Sequence, residues 1–164
     1  GRNIHRDGIL DLCVVPADMS DGLHRRMADE SRRFMRECGY RGILAIEYFV
    51  KDDEVYFNEM APRPHNSGHY TIEGCSTNQF RELVRFLAGM PLEEPRLTAP
   101  TVMKNILGQD LAAAETVADE AHEGVYVHIY GKTESRPKRK MGHITMVGTD
   151  LSRYEKEWAG RFVR

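Results

Sequence analysis

The chain has few cysteines, no long apolar run and no excess of either charge, and each shortage removes a class of function. Cys13, Cys38 and Cys75 are odd in number, widely spaced and outside any CxxC pattern, so neither a disulfide framework nor a zinc ribbon fits them. A reduced, cytoplasmic setting suits three such thiols. No apolar stretch approaches the roughly 18 to 20 residues that span a bilayer, and the N-terminus lacks the apolar core of a signal peptide, so no membrane partner is expected. With 23 Lys and Arg against 25 Asp and Glu, the formal charge is -2, which argues against a general nucleic-acid binder. Internal repeats and low-complexity tracts are absent as well.

What remains is the composition of a globular protein, 41% hydrophobic and 29% charged over 164 residues, enough for one ordinary domain or two small ones. The chain opens GRNIHRDGIL without an initiator Met and stops before its last helix has an evident partner, as expected of a piece of a longer protein.

Read in order, ILDLCVV at 9–15 is a strand that stops at Pro16. Ser20 or Asp21 caps a helix with apolar positions Leu23, Met27, Phe34 and Cys38, ending at Gly39. Its arginines alternate with Asp21, Asp29, Glu30 and Glu37, the pattern of a solvated face. Further on, Ser76 or Thr77 caps a helix with the stripe Phe80, Leu83, Val84, Leu87, closed by Gly89 and Pro91. Residues 90–100 hold three prolines and no periodicity, which marks a linker. Strands follow at 101–107, 125–130 and 143–148, with an Ala-rich helical turn near 110–118 and a helix opening at Asp150 or Ser152. The fold class is therefore α+β.

The stretch of most chemical interest is GILAIEYFVKDDEVYFNEMAPRPHNSGHY, Gly42 to Tyr70. Two apolar strands joined by a turn at Lys51 to Glu54 each carry one misplaced acid, Glu47 and Glu59. An unpaired buried carboxylate costs several kcal/mol, so such groups are paired or metal-bound. If Asp52 and Asp53 alone form the loop, Glu47 faces Asn58 and the acids point to opposite faces. A shared metal requires the other register, with an odd loop or a bulge between Val50 and Val55. Two carboxylates, with Asn58 beside one, suit Mg²⁺ in an ATP-using site. In the loop that follows, Arg63 can stabilise developing negative charge, and His65 with Asn66 supplies donors for a small planar anion. The spacing of His65 and His69 is not a helical zinc pair, because Pro62, Pro64 and Gly68 surround it. A second cluster, GKTESRPKRKMGH, packs Lys132, Arg136, Lys138, Arg139 and Lys140 between Gly131 and Gly142. It reads as a phosphate site or as a solvated loop.

The run YFNEMAPRPHNSGHYTIEGCSTNQFRELVRFLAGMPL resembles the signature of the 5-(carboxyamino)imidazole ribonucleotide synthases, ATP-grasp ligases of purine biosynthesis. NIHRDGIL, GYRGILAIEYFV and RPKRKMGHIT resemble further segments of that family in the same order, so the likeness covers nearly the whole chain. It implies the C-terminal half of an ATP-grasp domain over 1–93, an antiparallel sheet with helices, then a small, mainly β C-terminal domain over 94–164. The implied reaction uses ATP and bicarbonate, through carboxyphosphate, to carboxylate 5-aminoimidazole ribonucleotide. By the same resemblance Glu47 and Glu59 are the Mg²⁺ ligands, and His5, Phe57 and Asn58 lie against ATP. Arg63, His65 and Asn66 form the bicarbonate pocket, and Lys132 and Arg139 hold the ribonucleotide phosphate, with Lys132 also near the reacting carboxylate. The whole enzyme is expected to be a homodimer and this segment alone to be inactive, since the N-terminal domain and the first half of the ATP-grasp domain are missing from it. Two readings compete: another ATP-grasp ligase, such as the formate-using glycinamide ribonucleotide transformylase, and a non-catalytic binding module.

Overall fold

The computed structural model describes residues 1–162. Its scaffold is a five-stranded antiparallel sheet in the order β1-β2-β5-β7-β6, formed by β1 (Arg2–Arg6), β2 (Ile9–Val15), β5 (Thr101–Leu107), β7 (Lys140–Val147) and β6 (Val125–Ile129). The first hairpin turns at Asp7 and Gly8, both at positive φ (50° and 74°), the geometry that an Asp-Gly pair favours. Strand β1 has no counterpart in the sequence reading, because its polar RNIHR run lacks apolar alternation. The proline-rich 90–100 segment carries no helix or strand, yet the sheet runs across it: Leu12 pairs with Lys104 and Val14 with Val102. Residues before and after the linker therefore share one sheet.

One face of that sheet is closed by α4 (Leu111–Glu120) and α5 (Leu151–Glu157). Val102, Ile106, Ile144 and Met146 pack there against Ala114, Val117, Tyr154, Trp158 and Phe162. Asp150 caps α5 by accepting the Arg153 N–H at 2.8 Å. The opposite face carries Leu10, Cys13, Val15 and Met103 and receives Tyr70 from the loop before α2 (Thr71–Gly74).

Helix α1 (Asp21–Glu37) starts at its Ser20 cap and ends before Gly39, whose φ of 61° suits only glycine without strain. Helix α3 (Gln79–Leu87) is capped by Asn78, whose side chain accepts from the Phe80 and Arg81 amides, rather than by Ser76 or Thr77. The reason is that Ser76 is engaged by the Arg96 amide and Thr77 donates to Glu82. A separate two-stranded ribbon, β3 (Ala45–Lys51) with β4 (Glu54–Ala61), stands apart from the sheet. Among the described residues no helix is long and apolar enough to cross a membrane.

Candidate active site

The ribbon resolves its two conflicting registers in one step. Asp52 and Asp53 form a plain two-residue turn at φ 51° and 60°, with Lys51 opposite Glu54 and Val50 opposite Val55. Continued without change, that pairing would set Glu47 against Asn58. A bulge between Glu47 and Tyr48 makes Asn58 the extra residue instead, so Tyr48 faces Phe57 while Glu47 faces Glu59. The expected irregularity between Val50 and Val55 is thus not there; it sits at the acids themselves. The other side of the ribbon, with Ile46, Tyr48, Val55, Phe57 and Met60, lines a cavity of about 550 Å³ under α1.

His65 closes the acidic pair. Its Nε2 lies 3.5 Å from Glu47 Oε1 and 3.4 Å from Glu59 Oε1, and one ligand atom from each of the three residues falls within 4.8 Å of the others. The Glu47 side chain is nine-tenths buried, where an uncompensated carboxylate would be costly, and the three ligand atoms together could hold a metal ion. The imidazole is placed by its backbone: Gln79 Oε1 accepts the His65 N–H at 2.8 Å and Gln79 Nε2 donates to the His65 carbonyl at 2.9 Å. Gly68 makes room for this clamp, since a Cβ there would come 2.5 Å from Gln79 Oε1.

Beside His65, Asn66 exchanges two 2.8 Å hydrogen bonds with Asn105 of β5 and accepts a third, at 2.7 Å, from Lys140 Nζ. Burial holds the Lys140 ammonium below its ordinary range and Lys132 adds to that, while Glu47 and Glu59 push it back up. Next comes a column of rings, Phe80, His69, His143 and His128, with neighbouring centroids 4.5 to 5.6 Å apart. Gln79 Nε2 donates to His69 Nδ1 at 2.9 Å, Tyr130 lies 3.0 Å from His143 Nδ1, and His128 meets Glu73 at 2.7 Å. Burial, reinforced by neighbouring imidazoles, lowers His69 to about 4 and His143 to about 3, so both are neutral at neutral pH.

The structure brings together Glu47, Glu59, His65 and Asn66. His5 lies on the same side of the sheet, because it pairs with Leu10 and Leu10 belongs to the cluster under Tyr70. Other candidates stand elsewhere. Arg63 is exposed and donates to the Pro64 carbonyl at 3.0 Å. Lys132 is exposed, with Nζ 2.5 Å from the Lys140 carbonyl, and Arg139 donates to the Glu134 carbonyl at 2.9 Å. Phe57 lines the cavity under α1, on the side of the ribbon away from the acids. Sequence reasoning assigned no role to Asn105 or Gln79 and treated Lys140 as one charge in a loop. A usable signal existed for Asn105, a polar residue in the apolar run TVMKNIL, the same anomaly that singles out Glu47 and Glu59. None existed for Gln79.

Comparison with known proteins gives two consecutive family matches, the ATP-grasp domain over residues 1–80 and the phosphoribosylaminoimidazole carboxylase C-terminal domain over residues 101–157. The chain is 40% identical over 157 residues to the N5-carboxyaminoimidazole ribonucleotide synthase of Bacillus subtilis, covering 95% of this chain and 40% of that protein. It superposes on the N5-carboxyaminoimidazole synthetase of Staphylococcus aureus with a TM-score of 0.88 at 36% identity, covering 98% of this chain and 43% of the other. A third likeness is to the Aspergillus clavatus synthase in complex with ADP and 5-aminoimidazole ribonucleotide, with a TM-score of 0.84 at 31% identity over 97% of this chain and 44% of the other. The chain thus spans about two fifths of the length of these relatives.

Proposed function

The chain belongs to the N5-carboxyaminoimidazole ribonucleotide synthase family of ATP-grasp ligases, and on that premise we propose that it supplies the metal ribbon and anion pocket of such an enzyme. The reaction is the ATP-dependent carboxylation of 5-aminoimidazole ribonucleotide by bicarbonate. The observation that carries this reading is the meeting of Glu47, Glu59 and His65 across the bulge.

Glu47 and Glu59 would hold Mg²⁺, a hard ion suited to carboxylate oxygen. When bound, that ion supplies neutralising charge to the nucleotide phosphates. The protein's own groups do the rest. His65 and Asn66, with Lys140 bonded to Asn66 at 2.7 Å, gather donors where a bicarbonate or carboxyphosphate oxygen would sit. Arg63, exposed and bonded to the Pro64 carbonyl, would have to turn away from it to reach the same anion. As the ribonucleotide amine attacks the carbonyl carbon of carboxyphosphate, a C–N bond forms, the C–O bond to phosphate breaks and the amine gives up a proton. Fixed donors lower that barrier because they need no reorientation as charge shifts to the departing phosphate. Lys132 and Arg139, on an exposed loop rich in cations, would hold the ribonucleotide phosphate. His5 and Asn58 would contact ATP beside the acids, and Phe57 would approach it from the α1 side of the ribbon.

In this reading the enzyme works as a homodimer in the cytoplasm, the 1–93 and 94–164 segments are parts of two domains, and the 164-residue piece alone does not turn over. The test is Glu59→Gln in a chain restored to the full length of its relatives. Mg²⁺-dependent turnover should fall about 100-fold or more while circular dichroism stays unchanged. Near-normal kcat would mean that the ribbon is not the metal site.

A further inference from the structure

Asn105 has no part in the reading above, although it is fully buried and directly behind the anion pocket. Its hydrogen bonds form a chain whose two ends are chemically unambiguous. At the inner end, Asn105 Nδ2 lies 2.8 Å from the Leu10 carbonyl, which can only accept, so the amide nitrogen must be the atom placed there. The second proton on that nitrogen goes to Asn66 Oδ1 at 2.8 Å, and Asn105 Oδ1 takes one proton from Asn66 Nδ2 at 2.8 Å. At the outer end, Lys140 Nζ, which can only donate, lies 2.7 Å from the same Asn66 Oδ1. Turning Asn66 over would set its NH₂ against both the Asn105 NH₂ and the lysine. The two lone pairs of Asn66 Oδ1 are therefore used, one proton of its NH₂ is used, and a single N–H is left to offer.

We propose that Asn105 is a positioning residue that commits Asn66 to presenting a donor and never an acceptor. Together with the remaining Lys140 protons, this makes the pocket specific for the unprotonated oxygens of a small oxyanion, so that the hydroxyl of bicarbonate must point away from Asn66. The inference rests on the bicarbonate reading and deepens it. A group that could rotate would tolerate a ligand carrying its own N–H or O–H at this position. A fixed one rejects it, because buried donors would then face donors.

Steady-state kinetics on the full-length chain, in buffer stripped of carbon dioxide, provide the test with four variants: Asn66→Ala, Asn105→Ala, the double variant and Asn105→Asp. Asn105→Ala should raise KM for bicarbonate about tenfold while KM for ATP changes less than about twofold. The double variant should be no worse than Asn66→Ala, since Asn105 acts only through its neighbour. A purely structural Asn105 would instead lower stability and leave the bicarbonate KM unchanged, or add its full effect to that of Asn66→Ala; either result overturns the proposal. If Asn105→Ala does not fold, Asn105→Asp keeps the shape. It removes the donors to Leu10 and Asn66 and sets a negative charge behind the pocket, so the bicarbonate KM should rise further; an unchanged value refutes the role. ATP consumption by the unsubstituted enzyme that does not depend on bicarbonate would refute the functional reading and take this inference with it. Bicarbonate-dependent consumption with indifferent Asn105 variants would refute this inference alone.

Discussion

The five-stranded sheet and the β3–β4 ribbon use the same backbone geometry to opposite ends. In the sheet Val102, Met103, Ile106, Ile144 and Met146 are all at 0% exposure, whereas in the ribbon Phe49 and Phe57 are each 61% exposed and Tyr56 53%. The ribbon is tied to α1 by few polar contacts, Arg26 to Glu54 at 2.9 Å and Ser31 to Tyr48 at 2.9 Å. The candidate site joins these two halves. His65 and Asn66 are anchored by Gln79 and by Asn105 of the sheet, while Glu47 and Glu59 ride on the ribbon. The proposed anion donors are therefore anchored to α3 and to the sheet, and the proposed cation ligands stand on the ribbon outside that sheet.

That contrast can be broken from the scaffold side first. Ile144→Ala should destabilise the chain by about 2 to 5 kcal/mol, the range for deleting a buried aliphatic side chain, as read from the midpoint and slope of urea unfolding. A shift near zero would mean that the sheet is no more closely packed than the ribbon. The next effect is acid sensitivity on the site face of the sheet. Folded His69 and His143 titrate near 4 and 3, below their ordinary 6.5, so below pH 6.5 the unfolded chain binds protons that the folded chain does not. Their contribution to stability is whole above pH 6.5 and is lost as pH falls toward 4 and then 3. Replacing His143 by Gln should flatten the stability–pH slope over that window by up to about 1.4 kcal/mol per pH unit, one proton's worth. An unchanged slope between pH 6 and 4 would mean that His143 is not held neutral. The smallest effect belongs to the ribbon: Asp53→Gly, at φ 60°, should raise stability by about 0.5 to 1 kcal/mol by removing a left-handed Asp, detectable as a higher melting temperature. A drop would show that the turn is held by the Asp53 side chain and not by its backbone geometry.

Much of the sheet and helices α1 and α3 could be read from residue patterns, because burial imposes its period on them: ILDLCVV, TVMKNIL and the stripe over 80–87 each declare a face. The sharing of one face by Glu47 and Glu59 was legible as a requirement. The place of the bulge was not, since Asn58 carries no mark of an extra residue and the two-residue turn argued against it. Strand β1 was missed although Asp7-Gly8 signals a tight turn, because an edge strand with polar residues hides its alternation. In the basic loop, counting charge could not say which cation points inward. That depends on β7 beginning at Lys140, where the strand turns this lysine toward Asn66 and leaves Lys132 and Arg139 on the surface.

The pairing of β2 with β5 also bears on how the chain reaches this state. Asn105 bonds to Leu10 across 95 residues of sequence, and every β2–β5 contact spans a similar distance. Closing so long a loop costs entropy before any contact compensates it, which slows folding. During synthesis the first hairpin must wait with one edge unpaired, and the ribbon, α1 and α3 are made before its partner emerges. A waiting edge of that kind invites pairing with other chains, so refolding yield should fall as protein concentration rises, and Asn66 should be among the last residues to find its final neighbours.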